Sequence, residues 1–519
     1  MWFQECCSTH SGCANPLSRT QGWRPARLLQ IEPGGTGILR LCTRAEADAS
    51  YFTLPYMTLS YRWGHHSNFL LQETTLETFK RGFPISTLPR TFQDAVEIAR
   101  HLSIQFIWID ALCIIQDSQS DWHAEALTMR DVYAHTTCNI AASAAKDEHD
   151  GFFKERDIEE ILPARIEAHE TDTADHAGRH FYTVFAKEYW KHQLDSSSLH
   201  SRGWVFQECL LAPRILYFGR HQVLWQCHAV TKCEAFPACI PYNIADMNLD
   251  HVRAEYEVRR SAKNEVSASQ RLRPTPIYAL WDRLVERYSA CGLTRSTDKL
   301  PAFAGVAQLF AEVTHDEYVA GLWKSRIVEG LNWSVPITST TRSLYRAPTW
   351  SWASVDDAVQ YHNSSGSYEM SIDFADVAIQ ERCSSGLFSE NRLCLEVRAP
   401  IASFVDRAND AAQSSASDGR PFNGTLHLDY RAETQDKNPP TFDLMALKVS
   451  TLVHPVTGER EILEVAGIVL QKRLDLAYER VGYFTSACPA DFKIFESSIF
   501  SRCPRHTRLS STCTPIVIF

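Results

Sequence analysis

Residues 88–142 read LPRTFQDAVEIARHLSIQFIWIDALCIIQDSQSDWHAEALTMRDVYAHTTCNIAA, and this stretch decides the fold. It opens with a helix start signal: Thr91 is followed three residues on by Asp94, with Pro89 just upstream. Phe92, Ala95, Val96, Ala99 and Leu102 then share one helical face. Gln105 to Ile109 is aromatic and β-branched, as suits a buried strand, and it runs into Asp110. A second helix is expected from Ser120 or Asp121 to Ala134, with Trp122, Ala126, Met129 and Tyr133 as its apolar face. Thr137 to Ala142 is a further strand candidate. Helix, strand, helix and strand in such short order predict an α/β fold with a parallel sheet and right-handed crossovers.

Glu125 breaks the pattern. It lies three residues after Trp122 and four before Met129, on the apolar stripe or at its edge. His123, Arg130 and Asp131 are free to point elsewhere. A carboxylate in that position is costly unless it is paired, hydrogen-bonded or beside a cavity. Two readings stand: a structural acid bonded to backbone or an Arg, and a functional acid facing a partly buried cavity.

Upstream, Tyr56 to Ser60 reads as a strand, and Gly64 permits a sharp turn after it. Ser60, Tyr61, Arg62 and Trp63 then fall at or beyond the strand's carboxyl end, where open α/β sheets bind ligands. Asp110 falls at the same end of the next strand if the two are parallel. The sharper hypothesis is one cleft lined by Ser60, Tyr61, Trp63, Asp110, Trp122 and Glu125. The plainer one is that Tyr61 and Trp63 cap the core. Ile38 to Cys42 is another strand candidate. Downstream, residues 151–199 look like a polar insertion, with a strand near Tyr182 to Phe185 expected to extend the sheet. If Trp204 to Leu211 is helical, Trp204, Gln207 and Glu208 share a face. Ile215 to Phe218 and Val223 to Gln226 form a hairpin pattern around Gly219-Arg-His-Gln222.

The whole chain bounds the answer. Its 519 residues suffice for two or three subdomains, and a hydrophobic fraction of 44% is that of a globular protein. The net charge of -10, with no long basic run, argues against nucleic-acid binding. No stretch is long and apolar enough to span a membrane, and the N-terminus lacks a signal-peptide pattern, so a cytoplasmic protein is expected. Sixteen cysteines in a chain this long do not make a disulfide scaffold. Cys6, Cys7, His10 and Cys13 are closely spaced, but no second pair follows at zinc-finger spacing. Partners have to come from Cys227, Cys233 or Cys239, so reduced thiols and no metal are expected. Cys113 has no evident His partner and reads as a buried thiol.

The remainder divides by composition. Residues 240–275 are charged and end at Pro274 and Pro276, a candidate boundary. Ile277 to Ser289 and Ala302 to Phe310 are amphipathic helix candidates. Pro348-Thr-Trp-Ser-Trp-Ala-Ser354 reads as a packing element. From Ser364 the pattern is of short strands and turns. The expected organisation is 1–240 with its core at about 54–220, a helical linker region at 241–360, and a β-rich region at 361–519. The tail after Ser497 shows no clear periodicity and carries no assigned element.

Three blocks carry a family resemblance: YMTLSYRWG at 56–64, LPRTFQDAVEIARHLSIQFIWIDALCIIQDSQSDWHAEALTMRDVY at 88–133, and SRGWVFQECLL at 201–211 followed by Arg214. In this order they resemble the heterokaryon-incompatibility (HET) domain of filamentous fungi. PAFAGVAQLF, YVAGLW, APTWSWAS and GIVLQKRLDLAYERVGYF resemble recurring segments of full-length proteins of that class. The resemblance implies a role in nonself recognition and programmed cell death. It adds Gly64, Cys113, Gln116, Asp117, Trp204, Gln207 and Glu208 as supporting motif residues. A remoter likeness is to Toll/interleukin-1 receptor (TIR) domains, several of which are NAD glycohydrolases. It rests on Leu59-Ser-Tyr61 and on Trp122-His-Ala-Glu125. It implies a TIR-like, flavodoxin-like sheet, Glu125 as the catalytic acid and NAD as substrate, with no cofactor required. The alternative is a non-catalytic module that acts by self-association or through an upstream recognition protein.

Overall fold

The computed structural model describes residues 1–10, 13, 23–32, 37–46, 49–64, 69–156, 161–169, 179–184, 189, 194, 197–240, 276–336, 345–362, 369–373, 376–382, 392–398, 401–405, 415–416, 422, 424–429, 441–453, 460–472, 478–488 and 516–518. They divide into two compact units. The first holds residues 1–254 with 291–293 and 301–309; the second holds the rest.

In the first unit the chain runs α1 (Trp2–Thr9), β1 (Arg27–Ile31), β2 (Ile38–Thr43), α2 (Ala49–Thr53), β3 (Tyr56–Ser60), α3 (Leu76–Arg81), β4 (Phe83–Pro84), α4 (Arg90–His101), β5 (Phe106–Trp108), α5 (Asp110–Cys113), α6 (Gln119–Ala134), β6 (Cys138–Ala141), β7 (Ala164–His169), β8 (Arg179–Val184), α7 (Gly203–Leu211), β9 (Arg214–Phe218), β10 (Val223–Cys227) and β11 (Thr231–Cys233). One nine-stranded sheet has the order β11-β10-β9-β6-β3-β5-β1-β2-β4. Its centre is parallel: β3 pairs with β5 and β6, and β6 with β9. Numbered along the chain, these four strands lie in the order 2-1-3-4, a flavodoxin-like arrangement. The direction of winding reverses between β3 and β6, so their carboxyl ends form the crevice at the switch point. Antiparallel strands flank the parallel centre on both sides.

The burial pattern explains the parallel centre. β3 and β6 are buried along their whole length, as strands covered on both faces must be. Met57 and Leu59 point to one face of β3; Tyr56, Thr58 and Ser60 point to the other. The second face is polar beneath its helices. Thr58 Oγ1 donates to Asn139 Oδ1 at 2.9 Å, and the Tyr56 hydroxyl to the Val132 carbonyl of α6 at 2.7 Å.

Several sequence expectations need correcting. Thr91 does not cap α4: Pro89 occupies the cap without a side-chain bond, and the Thr91 hydroxyl donates to the Asp147 carbonyl. Asp94 is buried because it accepts from the Phe152 amide at 2.9 Å and pairs with Arg90. The strand near Tyr182 does not extend the main sheet; β8 pairs with β7 in a separate hairpin. Phe185 lies outside the described residues. The strand β1 had no clear sequence signal, yet it lies beside β5.

The second unit is built around a ten-stranded, mostly antiparallel sheet. Its longest strands, Thr441–Val453 and Arg460–Lys472, pair with each other, and the second of them pairs with Tyr478–Ser486. The chain's last described strand, Ile516–Ile518, joins the same sheet. The tail therefore ends in an element that its sequence did not announce. The helix Pro276–Ser289 buries Ile277, Leu280, Trp281, Leu284, Val285 and Tyr288, one stripe at helical spacing. Trp350 and Trp352 are fully buried, as packing elements should be. Arg480 is buried as well. It bonds Asp429 at 3.1 Å and the carbonyls of Leu331 and Trp333 at 2.6 and 2.5 Å, and its guanidinium lies 3.4 Å from the Trp333 ring centroid. Arg480→Met should lower stability by about 3–5 kcal/mol in urea unfolding, because it strands the Asp429 charge. Adding Asp429→Leu should recover most of that loss; a double variant no more stable than the single one would show that the carbonyl bonds dominate.

Candidate functional site

The switch-point crevice is occupied by a hydrogen-bonded acid. Glu208, on α7, is buried at the carboxyl end of β3. Its Oε2 accepts from Ser60 Oγ at 2.5 Å and from the Tyr133 hydroxyl of α6 at 2.9 Å. Ser60 Oγ in turn accepts from Asn139 Nδ2 at 2.9 Å. Two strands and two helices thus meet on one carboxyl group. Burial, above all, raises the Glu208 pKa to about 7; the Asp110 charge pushes the same way, while the two hydroxyl donors and Arg202 oppose it. Glu208 thus holds its proton to a higher pH than a free carboxyl does.

Asp110 begins α5 at the end of β5. Its Oδ2 accepts from the Trp63 indole at 2.6 Å and its Oδ1 from the Ala111 amide at 2.7 Å. Burial raises its pKa, against these donors. The Trp63 ring stacks on Tyr61, with centroids 6.2 Å apart and planes at 17°. Burial, and then the Asp110 charge facing it, pushes the Tyr61 hydroxyl pKa up. Gly64 follows, its amide donating to Glu148 Oε2 at 2.6 Å. A Cβ there would lie 2.7 Å from that oxygen, so a larger residue would push the Glu148 carboxylate away.

Glu125 belongs to a different network. It is buried on α6, and its Oε1 lies 3.2 Å from Arg27 Nη2 of β1. The same nitrogen bonds Asp121 at 2.5 Å, and Arg27 Nε donates to the Cys113 carbonyl. Burial raises the Glu125 pKa and Arg27 opposes it. Its Oε2 is buried with no hydrogen-bond partner among the described residues. Trp122, one turn earlier, meets Trp204 of α7 edge to face at 6.2 Å.

The structure thus brings Ser60, Tyr61, Trp63, Asp110 and Glu208 to one end of the sheet, and joins Glu125 to Arg27 and Asp121. Gln207 is buried; a Cβ on Gly305 would lie 2.8 Å from its side-chain oxygen. Gln116 Nε2 donates to the carbonyls of Asp110 and Ile114, and Asp117 accepts from the Glu73 amide, so both brace the loop after α5. Cys113 is buried, which pushes its thiol up to about 12, as befits an unreactive thiol. Tyr133, Asn139 and Glu148 were not foreseen as site residues. Asn139, a polar residue inside a buried strand, was the available signal. Cys6, His10, Cys13 and Cys227 also converge, against the expectation of incidental thiols.

These features define an α/β domain of flavodoxin-like strand order with a buried acid at its switch point. Residues 56–208 match the family model described as heterokaryon incompatibility protein (HET), so the chain carries a heterokaryon-incompatibility domain. The domain supports a heterokaryon-incompatibility-type role. No curated protein and no solved structure matches the chain. No helix among the described residues is long and apolar enough to cross a membrane.

The raised Glu208 pKa has a consequence for stability. In the unfolded chain the group titrates near 4.5, in the folded one near 7. Between those values the folded state holds the extra proton, so stability falls as pH rises from about 4.5 to 7 and is flat above. The full difference is about 3 kcal/mol at most, from about 1.4 kcal/mol per pH unit. Glu208→Gln should flatten this dependence in urea titrations at a series of pH values; an unchanged slope would assign it to other groups.

Proposed function

We propose that this protein is an effector of nonself recognition and programmed cell death that cleaves NAD at the nicotinamide–ribose bond, with Glu208 as the catalytic carboxylate. The observation that carries the reading is the Glu208 carboxyl, buried at the switch point and 2.5 Å from Ser60 Oγ. The part of the TIR likeness carried by Leu59-Ser-Tyr61, at the strand end beside Glu208, supports the substrate class, since several TIR domains are NAD glycohydrolases.

The chemistry needs little machinery. The C–N bond breaks with its electron pair leaving on nicotinamide, which departs neutral because it was bound as a cation. Positive charge develops on the ribose, as in glycoside hydrolysis, and water completes the reaction with loss of a proton. An ionised Glu208, with the Asp110 carboxylate beside it, stabilises that charge in a site of low polarity. Trp63 supplies aromatic surface for a ring, backed by the buried Tyr61 ring stacked on it. Glu125 already faces Arg27, which offsets the charge a cationic transition state requires.

Purified protein incubated with NAD, at low and high protein concentration, should release nicotinamide. Glu208→Gln keeps the shape and both accepted bonds, and should lower turnover about 100-fold or more with little change in the far-ultraviolet spectrum. Glu125→Gln should retain most activity; the reverse ranking would assign the chemistry to Glu125. Turnover should fall about tenfold per pH unit below about 7, as Glu208 takes up its proton. Undiminished killing on overexpression of a folded Glu208→Gln variant would favour a module that signals by self-association or through an upstream partner.

A further inference from the structure

At the opposite end of the parallel strands, four side chains from distant parts of the sequence meet. Cys6 and His10 are four residues apart at the end of α1, hence on one face, and Cys13 follows one turn later. Cys227 closes β10, paired in register with Arg214, the first residue of β9. Their three sulfurs and one imidazole nitrogen all lie within 4.8 Å of one another. The three cysteines are buried, and all are free thiols.

We propose that Cys6, His10, Cys13 and Cys227 form a structural zinc site that clasps the N-terminal helix to the antiparallel flank of the sheet. Three sulfurs and one imidazole are a recurrent ligand set for tetrahedral Zn²⁺, and soft sulfur donors select it over hard cations. The scale fits. Bonds of about 2.3 Å to sulfur and 2.0–2.1 Å to nitrogen, at tetrahedral angles, place N and S about 3.6 Å apart. His10 Nδ1 lies 3.5 Å from Cys227 Sγ.

The surroundings suit a thiolate cluster. A Cys₃His zinc centre carries one net negative charge, and Arg214 Nε sits 3.2 Å from Cys6 Sγ to oppose it. Three buried thiols are otherwise a poor cluster. A bound cation takes all three as thiolates. The clasp has supporting contacts: Lys232 bonds Glu5 at 2.7 Å, and Phe3 meets Trp225 edge to face. Cys7 and Cys239 are exposed and do not belong to the cluster.

The test uses the full chain, prepared under reducing conditions with zinc and then dialysed. Elemental analysis should find about one zinc per chain. Cobalt substitution should give the charge-transfer and intense visible bands of a tetrahedral thiolate site. Cys227→Ser and His10→Ala should lower zinc retention at least tenfold, whereas Cys7→Ser and Cys239→Ser should leave it unchanged. Because a ligand variant could fail to fold, the cobalt spectrum of the unaltered chain decides independently. Wild-type protein that retains no zinc and shows no such bands overturns the site. So does peptide mapping of the reduced preparation that finds Cys6, Cys13 or Cys227 joined as a disulfide.

Discussion

The hydrogen bond from Ser60 to Glu208 fixes the arrangement of the first unit. A carboxyl group buried beneath two helices is tolerable only if its oxygens are bonded or its proton retained. Here both occur. Ser60 and Tyr133 donate to one oxygen, and the raised pKa keeps a proton available. The requirement reaches outward, since Asn139 must lie beside Ser60, which fixes the register of β6 against β3. It also requires α7 to approach the carboxyl end of the central strands, which brings Trp204 against Trp122 of α6.

The antiparallel strand β1 solves a different problem. Asp121 and Glu125 project from the same side of α6, one helical turn apart. Two acids so placed repel unless a cation lies between them. Arg27, the first residue of β1, reaches both and also binds the Cys113 carbonyl. The flank of the sheet thus neutralises the helix that covers its centre. The second unit uses the same device once more, with Arg480 buried between Asp429, two carbonyls and the face of Trp333.

Much of this was legible in the sequence by itself. Residues 56–60 and 105–109 announced buried strands by composition, and 120–134 a helix by periodicity; β3, β5 and α6 lie there. The hairpin around Gly219 followed from two apolar runs separated by turn residues, and β9 and β10 form it. Ser60 and Asp110 could be placed at strand ends because the strands could be counted. The face shared by Trp204, Gln207 and Glu208 followed from helical spacing alone.

What the sequence could not decide was which acid faces which partner. Glu125 and Glu208 look alike as carboxylates on helices with a nearby tryptophan. The difference lies in strand order: winding reverses between β3 and β6, and α7, not the Glu125 turn of α6, sets its acid against Ser60 there. The same limit hid the cysteine cluster, since Cys227 lies more than two hundred residues from Cys13 and only the pairing of β10 with β9 brings it near. Local periodicity is written in neighbouring residues. Contacts between residues far apart in the chain depend on how strands order themselves in a sheet, and only the tertiary structure decided that.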